Sequence, residues 1–234
     1  MQLFYLPNLD KNSKKAAFSK EESRHLFKVL RKKIDDTILI TNGKNIFFNG
    51  KISSISKNNC EVDILNFEIK DKLNYSLHIV ISPLKSNERF EWFLEKASEI
   101  GISEITPIIC KRSERKFINK KRLNKVLISA MKQSLKAHHP ILNPITTLKD
   151  FYKKKFNDEL FIAHCNNSEK EFLINCLKPK TKNIVLIGPE GDFTENEVKK
   201  AIDLGFKPVS LGNSRFRAET AAIIATHTVS IVNM

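Results

Sequence analysis

The chain has 234 residues, of which 41% are hydrophobic and 28% charged, so it can bury a core of one large or two modest domains and is not a disordered tail. Its 40 Lys+Arg against 26 Asp+Glu leave a net charge of +14. That excess favours a polyanionic partner, although a compositional bias toward Lys, Asn, Ile and Phe is an alternative cause.

The sequence lacks the patterns typical of metal-binding, secreted and membrane-spanning proteins. The four cysteines form no CxxC pair and have no His at ligand spacing, so we expect no bound metal. The N-terminus does not resemble a signal peptide. The most apolar stretch, 221–232, is shorter than the ~18 residues of a membrane span. A cytoplasmic protein is expected.

The first third of the chain predicts a small β-rich domain over residues 1–72. An amphipathic helix over 21–33 carries Leu26, Val29 and Leu30 on its apolar face. Strand-like runs follow at 37–41, 46–56 and 60–69, separated by turn-forming residues. A polar break at 70–72 marks the domain boundary.

Residues 73–234 predict a second domain in which strands alternate with helices. Strands are expected at 77–82, 105–110, 159–164, 183–188 and 207–211, and helices at 88–100, 120–136, 169–177, 195–204 and 219–232. Thr194 and Glu197 match a capping box, and Gly101 and Gly205 match helix ends. This alternation is typical of an α/β fold whose mostly parallel sheet binds ligands at the carboxyl ends of its strands.

Two of these strand ends carry residues suited to a binding site. The first is the glycine-containing loop Gly188-Pro189-Glu190-Gly191-Asp192, and the second runs from Leu211 through Arg217 and Glu219 into the last helix. An ordinary βα loop would explain the first, and a favourable helix-start charge with an Arg217–Glu219 pair would explain the second. Because the two strands are consecutive among the predicted strands, we expect the loops to lie side by side.

Together these segments resemble a known family. The sequences GPEGDF (188–193) and LG…FRAETAA (211–222) are similar to the C-terminal signatures of the RsmE-type ribosomal RNA small subunit (16S) uracil-N3 methyltransferases of the SPOUT superfamily. The segment HLFKVLR (25–31) resembles the family's HxxxVLR motif, and KASEIGI (96–102) followed by Pro107 resembles its K-x-x-E-L-G-V…P helix end.

The resemblance implies a PUA-like β-barrel domain followed by a SPOUT methyltransferase domain with a C-terminal deep trefoil knot. It implies a homodimer, S-adenosylmethionine as cofactor and 16S ribosomal RNA as substrate. It also implies catalytic roles for Arg217 and Glu219, and RNA contacts by His25, Lys28, Arg31 and Arg112. The implied cofactor-binding residues are His164, Ile187, Gly188, Pro189, Glu190, Gly191, Leu211, Gly212, Phe216, Ala218 and Thr220.

Two other functions are compatible with the same sequence. The chain could be a SPOUT methyltransferase that acts on another RNA or another position. It could also be a non-catalytic RNA-binding dimer, although such a protein would have no need of the two loops.

Overall fold

The structure is a computed structural model that describes residues 2–166 and 169–234. The chain forms two compact units. One contains the residues up to 72 together with 131–139, and the other contains 73–130 and 140–234. The segment 131–139 thus belongs to the first unit, although the sequence places it in the second domain. Among the described residues, no helix is long and apolar enough to cross a membrane.

The first unit is built on a five-stranded sheet with the order β1-β3-β4-β5-β2. β1 and β3 are parallel, and the other neighbours are antiparallel. Its core includes Phe4, Leu26, Ile40 and Phe48, each fully buried. The strands are β1 (Leu3–Tyr5), β2 (Lys15–Ala17), β3 (Thr37–Thr41), β4 (Ile46–Ile55) and β5 (Cys60–Ile69).

The helix predicted over 21–33 is shorter and irregular. Helix α1 (Lys20–Arg24) begins at Ser19 and passes into a π-helical turn, His25–Val29. Arg31 then adopts a left-handed φ of 52°, and the Lys32 amide donates to the Leu26 carbonyl at 3.0 Å. A left-handed residue ends a helix in this way because the following amide turns back onto it. The prediction that Val29 lies on the apolar face of a helix is therefore wrong, because its side chain is 68% exposed.

The second unit contains an eight-stranded parallel sheet, which confirms the predicted α/β class. Its order is β11-β13-β10-β12-β6-β7-β8, with β9 paired to β7. The strands are β6 (Ser76–Ile81), β7 (Glu104–Ile109), β8 (Ile141–Leu142), β9 (Thr146–Thr147), β10 (Glu159–Ala163), β11 (Glu171–Phe172), β12 (Lys182–Ile187) and β13 (Lys207–Ser210).

Helices cover both faces of this sheet, because each buried strand presents alternate side chains to two apolar layers. In β6, Ile79 and Ile81 face a layer that includes α2, α3 and α7, whereas Val80 faces the layer of α4 and α6. The helices are α2 (Asn87–Ile100), α3 (Lys120–Gln133), α4 (Leu148–Phe151), α5 (Leu173–Cys176), α6 (Glu195–Asp203) and α7 (Ala218–Val232).

Local capping signals were predicted correctly, whereas one helix and one strand arrangement were not. The capping box at Thr194 and Glu197 is present, and Gly101 ends α2 with a φ of 133°. The helix predicted over 169–177 is replaced by β11 and the single turn α5. The loops after β12 and β13 are predicted to lie side by side, but β10 lies between these two strands and pairs with both.

Candidate functional site

The carboxyl ends of β10, β12 and β13 surround a cavity of about 700 Å³. Because β10 is central, the loop after it contributes a wall between the two loops that the sequence singled out. The cavity is within the size range of small-molecule sites, ~300–1,000 Å³. Its lining consists of Arg89, 163–165, Lys170, 187–190, Asp192, 209–219 and Ala221.

Most of the residues expected to bind the cofactor line this cavity. They are His164, Ile187, Gly188, Pro189, Glu190, Leu211, Gly212, Phe216 and Ala218. Arg217 and Glu219 line it as well. Gly191 and Thr220 are absent from the lining: the Gly191 carbonyl instead accepts a hydrogen bond from Arg112, and Thr220 is half-buried in α7.

The loop after β12 is fastened on three sides by hydrogen bonds. The Glu190 carboxylate accepts from the Lys85 amide at 2.9 Å, and the Gly191 carbonyl accepts from Arg112 Nη1 at 2.8 Å. The Asp192 carboxylate accepts from the Cys165 amide at 2.7 Å. These bonds connect the loops after β6, β7 and β10, so the cavity wall is held in shape by the protein itself.

Asp192 has a second structural role in the same loop. Its φ is 62°, a left-handed conformation that Asp tolerates better than most residues because its short polar side chain bonds locally. Its carboxylate also accepts from the Phe193 amide at 2.8 Å. A Cβ at Gly188 would lie 3.1 Å from the Phe193 ring, so the tight packing beneath this turn favours glycine.

His164 presents unused hydrogen-bonding capacity to the cavity. Its side chain is buried, and neither ring nitrogen has a partner among the residues that the structure describes. Burial, together with nearby Lys170, lowers the pKa of His164, so the ring is neutral at pH 7 and offers one donor and one acceptor. Buried polar atoms are rarely left without a partner, so this ring is suited to binding a ligand.

The charged groups of the cavity differ in exposure. Glu219 is buried, and its Oε1 lies 3.7 Å from Nε of Arg89 on α2, whereas Arg215 and Arg217 are exposed. The sequence had suggested Arg217 as the partner of Glu219 and had missed Arg89. One signal in the sequence could have indicated Arg89. It lies three residues after Ser86, which caps the helix that follows β6, and so near the carboxyl end of that strand.

The predicted RNA-binding residues fall in both units. Lys28 and Arg31 are exposed in the first unit, and His25 is half-exposed with its Nδ1 3.8 Å from Glu22 Oε2. They do not form a regular helical stripe, because Arg31 lies beyond the π-helical turn. Arg112 belongs to the second unit, beside the loop after β12. Among the described residues, no group of three His, Cys, Asp or Glu could hold a metal ion.

Comparison with protein families agrees with this architecture. A family model described as an RNA methyltransferase domain matches residues 71–230. A second model, described as an RNA methyltransferase PUA domain, matches residues 18–65. The methyltransferase match includes both loops of the cavity.

Individual relatives support the same conclusion. The ribosomal RNA small subunit methyltransferase E of Buchnera aphidicola (subsp. Acyrthosiphon pisum) is 33% identical over 89% of this chain and 85% of its own length. The crystal structure of a "probable rRNA-methyltransferase" from Porphyromonas gingivalis is 34% identical, with a TM-score of 0.92 over 100% of this chain and 98% of that chain. A Neisseria gonorrhoeae ribosomal RNA small subunit methyltransferase E, crystallised with S-adenosylmethionine, is 26% identical, with a TM-score of 0.88 over 100% of this chain and 98% of that chain. The resemblance seen in the sequence motifs is confirmed, and the chain belongs to the RNA methyltransferase family that includes the ribosomal RNA small subunit methyltransferases E.

Proposed function

We propose that this protein transfers a methyl group from S-adenosylmethionine to N3 of a uridine in 16S ribosomal RNA. The observation that carries the proposal is the cavity formed by the loops after β10, β12 and β13 in a chain of this family. The Neisseria gonorrhoeae relative, crystallised with S-adenosylmethionine, supports the same cofactor here. That cofactor supplies an electrophilic methyl group when bound.

The residues of the cavity fit such a ligand. The neutral ring of His164, which has no partner among the described residues, can hydrogen-bond a polar group of the cofactor. Residues 187–190 line the same cavity and can contact the cofactor through their backbone. Leu211, Gly212, Phe216 and Ala218 line the opposite wall. We assign cofactor binding to these residues, and Gly191 supports the loop through its contact with Arg112.

Arg217 and Glu219 have the chemistry that the reaction requires. Uracil N3 carries a proton, which must leave before or during attack on the methyl group. Arg217 is exposed and lines the cavity, which supports a role for its guanidinium in stabilising the uracil anion electrostatically. The buried carboxylate of Glu219, paired with Arg89, is the candidate proton acceptor.

RNA binding and assembly complete the proposal. His25, Lys28 and Arg31 of the PUA-like domain, with Arg112 of the methyltransferase domain, contact RNA phosphates.

The last strands and α7 form a SPOUT trefoil knot, and the protein works as a homodimer. The 46% exposed Ile231 on α7 supports an intersubunit surface there. Light scattering at micromolar concentration should give a dimer mass, and a fully active monomer would contradict this part.

The central test is mass spectrometry of digested 16S ribosomal RNA from cells with and without the gene. We expect one uridine to lose its N3-methyl group in the deletion strain and to regain it on complementation. Arg217→Ala should bind cofactor and RNA normally yet slow single-turnover methylation by ~10²–10³, the usual effect of removing one charge-stabilising donor. An unchanged methylation pattern in the deletion strain would refute the function, and a normal rate in the variant would refute the role of Arg217.

A further inference from the structure

A second cavity of about 460 Å³ lies beside the candidate site in the methyltransferase domain. It opens where β7 and β9 end and α6 begins, so it belongs to the same carboxyl edge of the parallel sheet. Its floor is formed by Cys110, Leu148 and Tyr152, which are all buried. Burial raises the pKa of the Cys110 thiol and of the Tyr152 phenol, so the floor stays uncharged at pH 7.

The rim of this cavity is strongly basic. Lys111, Lys149 and Lys200 are exposed and line it from three different elements. Within residues 2–166 and 169–234, none of the three ammonium groups has an acidic partner at ion-pair distance. Three exposed lysines beside an apolar floor suit a ligand that is part anion and part flat apolar ring.

Among the described residues, Glu197 is the acidic one that lines this cavity, and its carboxylate is hydrogen-bonded to the protein. Glu197 Oε1 accepts from the Lys111 amide at 2.8 Å, and Oε2 accepts from the Thr194 amide at 2.8 Å and from its hydroxyl at 2.9 Å. These three donors orient the carboxylate toward the protein backbone. Its charge also strengthens the capping box of α6.

The two cavities share a wall. Lys111 lines the second cavity, whereas the adjacent Arg112 donates to the carbonyl of Gly191, whose neighbours Glu190 and Asp192 line the first. A strand of RNA whose target base enters the first cavity can therefore continue over Arg112 to the second.

We infer that the second cavity binds a nucleotide of the RNA close to the methylated uridine, its base on the apolar floor and its phosphates beside the three lysines. This inference rests on the proposed function and adds a subsite for RNA recognition. Single-stranded RNA is commonly recognised by such splayed bases, with cations on the backbone.

The test uses the full-length protein and a 16S ribosomal RNA transcript, with RNA affinity measured by filter binding at several salt concentrations. The combined change Lys111→Gln, Lys149→Gln and Lys200→Gln should weaken binding at least tenfold and make its salt dependence shallower by up to about 2 in slope, at ~0.7 per phosphate contact. Asn196→Trp, at the rim, fills the cavity without changing charge and should weaken binding by a similar factor. S-adenosylmethionine affinity, measured by calorimetry, should stay unchanged in both proteins.

A matched control removes the same charge elsewhere in the domain. Lys125, Lys155 and Lys199 are exposed and line neither cavity, and Lys199 is the neighbour of Lys200 on α6. If this control triple weakens RNA binding as much as the rim triple, or if Asn196→Trp binds RNA normally, the nucleotide subsite is refuted.

The position of the bound nucleotide is tested by crosslinking. A photoreactive p-benzoylphenylalanine at position 196 should crosslink to RNA within a few nucleotides of the modified uridine, and a crosslink far from it would overturn the inference. Wild-type protein that binds the transcript without methylating it would instead count against the proposed function. The binding and crosslinking results would still decide whether RNA occupies the cavity.

Discussion

Asp192 provides the sharpest test of how the cofactor cavity is shaped. Its carboxylate accepts two backbone hydrogen bonds, from Cys165 at 2.7 Å and from Phe193 at 2.8 Å, and its own backbone is left-handed with a φ of 62°. Three substitutions separate these contributions. Asn keeps one oxygen and tolerates the backbone conformation, Gly keeps only the conformation, and Ala keeps neither.

The expected magnitudes follow from these contacts. Each partly exposed hydrogen bond contributes about 1 kcal/mol, and a left-handed Ala costs about 1 kcal/mol. If the free energy of these contacts organises the cavity before binding, the binding free energy of S-adenosylmethionine weakens by at most about 1 kcal/mol in Asp192→Asn and about 2 kcal/mol in Asp192→Gly. For Asp192→Ala the loss is about 3 kcal/mol, and the three values correspond to roughly 5-, 30- and 150-fold.

Isothermal titration calorimetry of the three variants provides the measurement, and circular dichroism confirms that each is folded. The order Asn, Gly, Ala in increasing loss of affinity is the essential result. Equal affinity in all three and the wild type would show that the contact from Asp192 to Cys165 does not organise the site. Equal losses in the Gly and Ala variants would refute the contribution of the backbone conformation.

Three further predictions concern other parts of the protein. Arg89→Ala removes the ion partner of buried Glu219. Because a half-exposed ion pair contributes ~1 kcal/mol, single-turnover methylation should slow about fivefold. Arg89→Lys keeps the positive charge and should restore most of the rate. Burial lowers the pKa of His139 to about 4, below its unfolded value of ~6.5. The folded state therefore holds His139 neutral, and the stability that this group contributes is fully present above pH 6.5 and is lost as the pH falls toward 4. Urea unfolding should therefore show ~2 kcal/mol less stability at pH 5 than at pH 7.5 from this group, and His139→Phe should remove that share of the difference. Neutralising Lys28 and Arg31 together should weaken RNA binding and lower its salt slope by about 0.7 per lost phosphate contact, with S-adenosylmethionine affinity unchanged in calorimetry.

The sequence by itself determined the features that depend on neighbouring residues. Five strands of the second domain (β6, β7, β10, β12 and β13), the capping box at Thr194 and the end of α2 at Gly101 follow from periodicity and backbone preferences within a few positions. The same is true of the two loops, because a polar, glycine-containing segment after a buried strand is recognisable without knowing the rest of the fold. The α/β class and the family resemblance rested on these local patterns. The short strands β8, β9 and β11 were not predicted.

Only the tertiary structure decided which of these segments meet. Strand order depends on packing between distant parts of the chain, so β10 between β12 and β13, and with it the central position of His164, could not be inferred from the order along the sequence. The pairing of Arg89 with Glu219 joins residues 130 positions apart in the chain, and a charged side chain shows no periodicity that would reveal its partner. The left-handed Asp192 was equally hidden, because its conformation is stabilised by a hydrogen bond to Cys165 on another loop. Secondary-structure propensity depends on residues within a few positions of each other, whereas the geometry of this site is set by contacts between residues far apart in the chain.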